Sequence, residues 1–323
     1  MLDKESSERL SIIRFPLIVG VVFIHSYSST VGFAADTIGL TESNLFVDFV
    51  RDLISQGVAR VAVPLFFLMS GYLFFLGFDF SKQTYLEKIK SRVKSLLIPF
   101  LFWNLITLFV VALAQAIPVT RQYFSGNNEL ITSFGYWEYT QAIFGIERTP
   151  ISYQFWFIRD LMVLVLLSPI VYFINRQVSK FFIFILFGCW FLGMSLWHVP
   201  SIEALFFFAL GASLAHKNRS LFFFDQYGRI ISLGYILVLV LDSLSKGTEI
   251  SPYLHRMGIV LGVVCMLFLT KLVVRSESIK KRFLLLSSAS FFVYAAHEPL
   301  LTIVRKVIYK LIKPESPYLI LAL

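Results

Sequence analysis

Few ionisable residues interrupt the apolar stretches of this 323-residue chain. A charge within lipid is costly, so those few are the first candidates for chemistry. Arg14 and His25 stand eleven residues apart. On a helix that spacing is three turns plus about 20°, which puts both side chains on one face ~16 Å apart. An imidazole at that depth suits general-base catalysis at neutral pH; equally, it could be a packing group bonded to a neighbouring helix. Arg60, the adjacent Arg159 and Asp160, and the adjacent His297 and Glu298 fall in three further apolar segments. Alternating the spans brings all of these to a depth similar to that of His25, which suggests a shared polar cavity. Adjacent residues point to different helix faces, so Arg159 and Asp160 are expected to find separate partners. Glu203 follows Pro200 at a predicted helix start and reads as a surface residue. Lys82, Lys88, Lys90, Arg92 and Lys94 cluster before another apolar run. Such a cluster holds either donor phosphates or anionic lipid.

The elements that must position these residues are membrane helices. Hydrophobic residues make up 57% of the chain and charged ones 15%, with a mean hydropathy of +0.75, far from the usual soluble balance. Spans are predicted near residues 11–33, 58–78, 95–117, 155–175, 180–198, 200–215, 230–245, 254–274 and 284–304, with a tenth beginning near Tyr318. The expected fold is therefore an all-α polytopic transmembrane bundle of about ten spans, forming one domain over residues 1–323. The net charge of +9 follows topology rather than a nucleic-acid partner. A cytoplasmic N-terminus places 18 of the 29 Lys and Arg residues inside, the direction in which such bias orients helices. Eleven fall on the outer side, Arg305, Lys306, Lys310 and Lys313 among them.

One long connection, residues 118–154, carries Tyr123, Tyr136, Trp137, Tyr139 and Tyr153. It reads as an interfacial aromatic belt or as a platform for an acceptor. Phe46 to Gln56 reads as an amphipathic surface helix. The segment Leu65 to Gly71 is echoed by Leu205 to Gly211, as Phe-rich spans do easily by chance. Cys189 and Cys265 lie within apolar runs without metal or redox spacing, and no metal is expected. The chain contains no Walker-type glycine loop, nucleophile elbow or His-Glu-x-x-His run.

In order, these residues resemble the integral membrane acyltransferase 3 family, along nearly the whole chain. Arg14 and His25 reproduce the family's Arg-x10-His pattern. The stretch from Arg60 through Pro64-Leu-Phe-Phe-Leu-Met-Ser70-Gly71-Tyr72 is similar to its Pro-Leu-Phe-Phe-x-x-Ser-Gly-Tyr. Leu96 to Phe100, Phe155 to Leu161 and Phe291 to His297 match more weakly. The resemblance implies an O-acyltransferase of the stand-alone, polysaccharide-modifying branch, in the bacterial cytoplasmic membrane. It implies acyl-coenzyme A, most simply acetyl-coenzyme A, as donor, and a surface or lipid-linked glycan hydroxyl as acceptor. Arg14, Lys88, Arg92 and Lys94 would then hold the donor, and His25 would be the base or an acylated relay. Arg60, Arg159, Asp160, His297 and Glu298 would stabilise the oxyanion or bind the acceptor. Membrane lipids are the other expected partners, and the sequence does not define an oligomeric state. A glycan or lipid transporter is the alternative reading, since charges on broken helices also mark transport paths.

Overall fold

In a lipid solvent the backbone must satisfy its own hydrogen bonds, which leaves helices as the economical answer to so apolar a sequence. The computed structural model describes residues 2–39, 44–78, 81–121, 123–124, 129–195 and 197–322. Sixteen α-helices and one small hairpin are seen among them. The chain begins with α1 (Lys4–Ile12) and α2 (Arg14–His25), then turns through the antiparallel strands β1 (Thr30–Gly32) and β2 (Thr37–Gly39), with Val31 opposite Ile38. The first span is thus shorter than expected. It breaks at Ile13 and ends at His25, where the chain leaves the bundle.

Helix α3 (Leu45–Arg51) runs through a π turn (Asp52–Gly57) and a 3-10 turn (Val58–Val61) into α4 (Ala62–Phe75). The expected surface helix is therefore the head of a continuous rod. Asp52 turns inward and accepts a 2.9 Å hydrogen bond from Tyr27 Oη. Helices α5 (Lys82–Arg92) and α6 (Ile98–Ala116) are likewise continuous through a π turn (Val93–Leu97), and the short α7 (Pro118–Arg121) and α8 (Tyr136–Phe144) lie in the long connection. Next come α9 (Trp156–Leu166) and α10 (Ser168–Phe191). They divide at Leu167, because Pro169 lacks an N–H and fits best in a first turn, and α10 is kinked at Val178 (φ −136°, ψ 33°), inside the gap expected between the spans 155–175 and 180–198. After α11 (Ile202–His216), α12 (Gly228–Leu244) and α13 (Ser251–Val274), a third unexpected break at Ala289 separates α14 (Glu277–Ser288) from α15 (Ser290–Ile312); α16 (Pro317–Ala322) ends the fold.

Five helical runs among the described residues are long and apolar enough to cross a membrane: Leu45–Phe75, Lys82–Ala116, Ser168–Phe191, Asp225–Leu244 and Ser251–Val274. Helices α2, α9 and α11 are shorter. Helix α15 has the length but carries His297, Glu298 and four Lys or Arg side chains within or just beyond it.

At the centre, α4 and α11 pack side by side. A Cβ on Gly71 would collide with the Phe208 carbonyl oxygen, and one on Gly211 with the Leu68 carbonyl oxygen. Small residues permit such backbone approach in membranes. The two echoing segments are thus partners across one contact, and their shared glycine has a steric cause. Tyr172 packs against both Phe75 and His216, so the C-terminal ends of α4 and α11 lie at the same end of the bundle and the helices run parallel.

Away from this contact, Arg9 is only 4% exposed. It donates to Asp225 Oδ2 at 2.6 Å and Oδ1 at 3.0 Å, to Thr270 Oγ1 at 2.9 Å and to the Leu267 carbonyl at 2.8 Å. Its guanidinium lies 3.6 Å from the Phe222 ring centroid. This fork ties α1 to α13 and to the turn before α12. Nearby, Asp3 caps α1 by accepting from the Ser6 N–H at 2.7 Å, which holds its carboxyl below the usual range. The basic residues of α15 that ran against the charge bias also have structural partners. Arg305 donates to the Ser28 carbonyl at 2.5 Å, Lys306 to the Tyr123 carbonyl, and Lys310 Nζ lies 4.6 Å from the Tyr123 ring centroid. They clasp the hairpin and the long connection. Cys189 and Cys265 are both free.

Candidate active site

Successive turns of α2 present Arg14, Ile18, Val21 and His25 within about 60° of arc, as a rise of 1.5 Å and 100° per residue dictates. All four line one cavity of about 500 Å³. Arg60, Val63 and Phe66 close it from the α4 side, and Gln154, Trp156 and Phe157 from the start of α9. Its fourth wall comes from Ser287, Ser288, Ser290 and Tyr294 around the break at Ala289. Ser287 Oγ donates to the Ser11 carbonyl at 2.6 Å, which sets the serines at the Arg14 end. The cavity is therefore polar at both ends, with Ile18, Val21, Val63 and Phe66 between them.

At the Arg14 end the guanidinium is exposed and has no hydrogen-bond or ion partner among the described residues. At the other end His25 is half-buried. Its ring meets Tyr153 edge-on, centroids 4.8 Å apart, and lies 5.3 Å from that of His297. His297 Nδ1 is 2.7 Å from the Tyr294 carbonyl. A carbonyl only accepts, so Nδ1 holds the proton. That leaves His297 Nε2 buried without a partner among the described residues. Tyr153 donates to Glu298 Oε1, and Thr302 Oγ1 donates to Glu298 Oε2 at 2.7 Å. Tyr294 in turn donates to the Gln154 carbonyl at 2.6 Å, fixing the segment that carries Tyr153. Arg60 donates through Nε to Gln56 Oε1 at 2.8 Å, and its terminal amino groups have no partner among the described residues. The result is an imidazole flanked by a second imidazole, a phenol held by a carboxylate, and a guanidinium with free donors.

The other expected residues lie elsewhere. Arg159 and Asp160 do not line the cavity, and they pair with each other, Nη2 to Oδ1 at 2.9 Å, against the expectation of separate partners. The long guanidinium folds back along the helix to reach a fully buried carboxylate. It also donates to the Gly145 carbonyl and, at 3.2 Å, to the Arg148 carbonyl. The second oxygen of Asp160 accepts from Ser201 N at 2.8 Å. This pair fastens the long connection and the start of α11 to α9. Glu203 is not a surface residue: it is half-buried and accepts from Trp190 Nε1 at 3.1 Å. Among the basic cluster, Lys88 donates to the Phe74 carbonyl, Arg92 is half-buried and Lys94 is exposed. None of the three lines the cavity, although Leu96 just beyond them does. Sequence reasoning missed Tyr153, Gln154 and Tyr294 as site residues. The small polar run Ser287-Ser288-Ala289-Ser290 within an apolar stretch was a usable signal. Among the described residues no group of three or more His, Cys, Asp or Glu could hold a metal.

The helical bundle thus encloses a shaft with a guanidinium at one end and a crowded imidazole at the other. The family profile described as an acyltransferase domain, acyltransferase 3, matches residues 8–323, and the chain belongs to that family. It is an integral membrane acyltransferase, which decides between the transfer and transport readings. It is 24% identical over 321 residues to the succinoglycan biosynthesis protein ExoH of Rhizobium meliloti (strain 1021), covering 94% of this chain and 80% of that one. No solved structure matches it.

Proposed function

We propose that this enzyme moves an acetyl or other short acyl group from cytosolic acyl-coenzyme A to a hydroxyl of a cell-surface or lipid-linked glycan. It would do so in the bacterial cytoplasmic membrane, with its N-terminus inside. One observation carries the reading: a single cavity joins Arg14 to His25 along one helix face. Arg14, with Arg92 and Lys94 of the basic stretch that leads to the cavity-lining Leu96, would take the donor phosphates. Lys88 contributes less, since its ammonium is already bonded to a carbonyl. The pantetheine arm would follow Ile18 and Val21 and bring its thioester to His25. Similarity to a succinoglycan biosynthesis protein supports a polysaccharide acceptor.

In this mechanism His25 takes the proton of the acceptor hydroxyl as its oxygen bonds to the thioester carbon. The free amino groups of Arg60 face the resulting oxyanion. Collapse breaks the carbon–sulfur bond, and the departing thiolate recovers the proton from the imidazolium. Such base catalysis contributes about 10²–10⁴-fold, and a fixed oxyanion donor about 10²–10³-fold. Tyr153, held by Glu298, and His297 keep the His25 ring in place. Arg159 and Asp160 would contribute by fixing the outer connection instead of touching the reacting atoms. Purified protein supplied with acetyl-coenzyme A and de-acylated succinoglycan should release free coenzyme A and acylated glycan. His25→Ala should stop both while retaining the wild-type elution profile. Undiminished release by that variant would exclude His25 as the base.

A further inference from the structure

We propose that a second cavity, beside the end of α6, is a subsite holding acceptor sugars next to the one acylated. This rests on the glycan-acyltransferase reading and extends it to how the acceptor is gripped. The cavity measures about 520 Å³, within the usual range for small-molecule sites and roomy for more than one sugar ring. Phe124 and Phe134 offer apolar faces, while Gln115, Glu129, Arg148 and Thr149 supply polar groups. That combination is what a pyranose requires, with C–H faces for the rings and hydroxyls for the charged forks.

The polar groups divide into framework and free hands. Gln115 is buried and tied to the backbone, donating to the Glu129 carbonyl at 3.0 Å and accepting from Ile131 N at 2.9 Å. The Arg148 carbonyl is held by Arg159 at 3.2 Å. Both backbones are thus fixed, yet the carboxylate of Glu129 and the guanidinium of Arg148 have no partner among the described residues. Two opposite charges facing one cavity without pairing to each other leave their hydrogen-bonding capacity for a ligand.

Position links this cavity to the chemistry. Arg148, Thr149 and Ile151 line the second cavity, and Gln154 lines the first. Three residues of chain span at most about 11 Å, so the two lie within a few sugar lengths. The strip between them is pinned: Ser152 N donates to Asn104 Oδ1 at 3.2 Å, and Ser152 Oγ bonds Thr107 Oγ1 at 2.7 Å. The next residue, Tyr153, packs on His25. A glycan lying along residues 148–154 would therefore set its own register against the base.

The test compares acceptors of different length. KM is measured for a one-sugar glycoside bearing the reactive hydroxyl and for oligosaccharides of two to six sugars, with acyl-coenzyme A saturating. In the wild type, KM should fall as the chain lengthens. Arg148→Ala, Glu129→Gln and the cavity-filling Thr149→Trp should each raise the ratio of long- to short-acceptor KM by about tenfold, the effect of one lost strong contact. A ratio unchanged in all three variants overturns the subsite. Calorimetric titration of the hexasaccharide without donor separates this from the parent reading. Binding that Arg148→Ala abolishes supports the subsite even where no acyl group is transferred. Binding that all three variants retain overturns it, as does an absence of binding by the wild type.

Discussion

Replacing Val21 by Trp should block the enzyme without unfolding it. Val21 is 4% exposed and lines the cavity. At 1.5 Å per residue it stands about 10 Å along α2 from Arg14 and about 6 Å short of His25. An indole there would lie across the shaft between the two polar ends, and aromatic side chains cover roughly 150–250 Å². Because the ring enters a void of about 500 Å³, the penalty should fall below the ~1–3 kcal/mol typical of overfilling a packed core. Donor passage should suffer far more. At least a 100-fold loss of transfer is expected, or about 2.7 kcal/mol at 1.36 kcal/mol per factor of ten. The assay is release of free thiol from acyl-coenzyme A, alongside thermal unfolding in the same detergent. A Val21→Trp protein that melts normally and turns over at the wild-type rate would refute the path along α2.

Three further perturbations probe the framework. Arg9→Met should lower stability by about 3–5 kcal/mol, because Asp225 loses its partner in a buried setting; adding Asp225→Leu should recover most of that, as chemical denaturation of both variants would show. Gly71→Ala places a methyl group against the Phe208 carbonyl, so it should cost about 1–3 kcal/mol and depress the melting point, while Gly234→Ala, whose added methyl meets nothing within 4 Å, should not. Arg159→Lys keeps the charge but loses the fork to Asp160 and to two loop carbonyls. It should sensitise the long connection to limited proteolysis more than it slows transfer, and a selective loss of turnover with unchanged proteolysis would reassign Arg159 to the reacting centre.

The apolar runs made the helical bundle legible, since nothing else satisfies a backbone in lipid. The interruptions at Ile13, Leu167 and Ala289 were hidden because the apolar runs continue beyond each of them, although Pro16 and Pro169 stood just past two of the three as usable signals. Arg14 and His25 could be placed together from spacing, as a helix turns spacing directly into a face, and Arg60 joined them by the alternation of the spans. Tyr153 could not. As one of several aromatic residues in the long connection it looked like an interfacial anchor, and only folding set it against His25. Arg159 and Asp160 misled for a related reason: adjacency suggests opposite faces, whereas a long guanidinium can double back to a buried carboxylate. Glu203 looked peripheral at its helix start, yet Trp190 encloses it from another helix. The Gly71 and Gly211 echo carried real packing information that composition alone disguised.

The most direct test of the account is a cryo-electron microscopy map of the protein with coenzyme A bound. The account predicts nucleotide phosphates beside Arg14 and the basic stretch ending at Lys94, with continuous density along Ile18 and Val21 and the sulfur next to His25. Coenzyme A seated elsewhere, with the shaft between Arg14 and His25 empty, would contradict it.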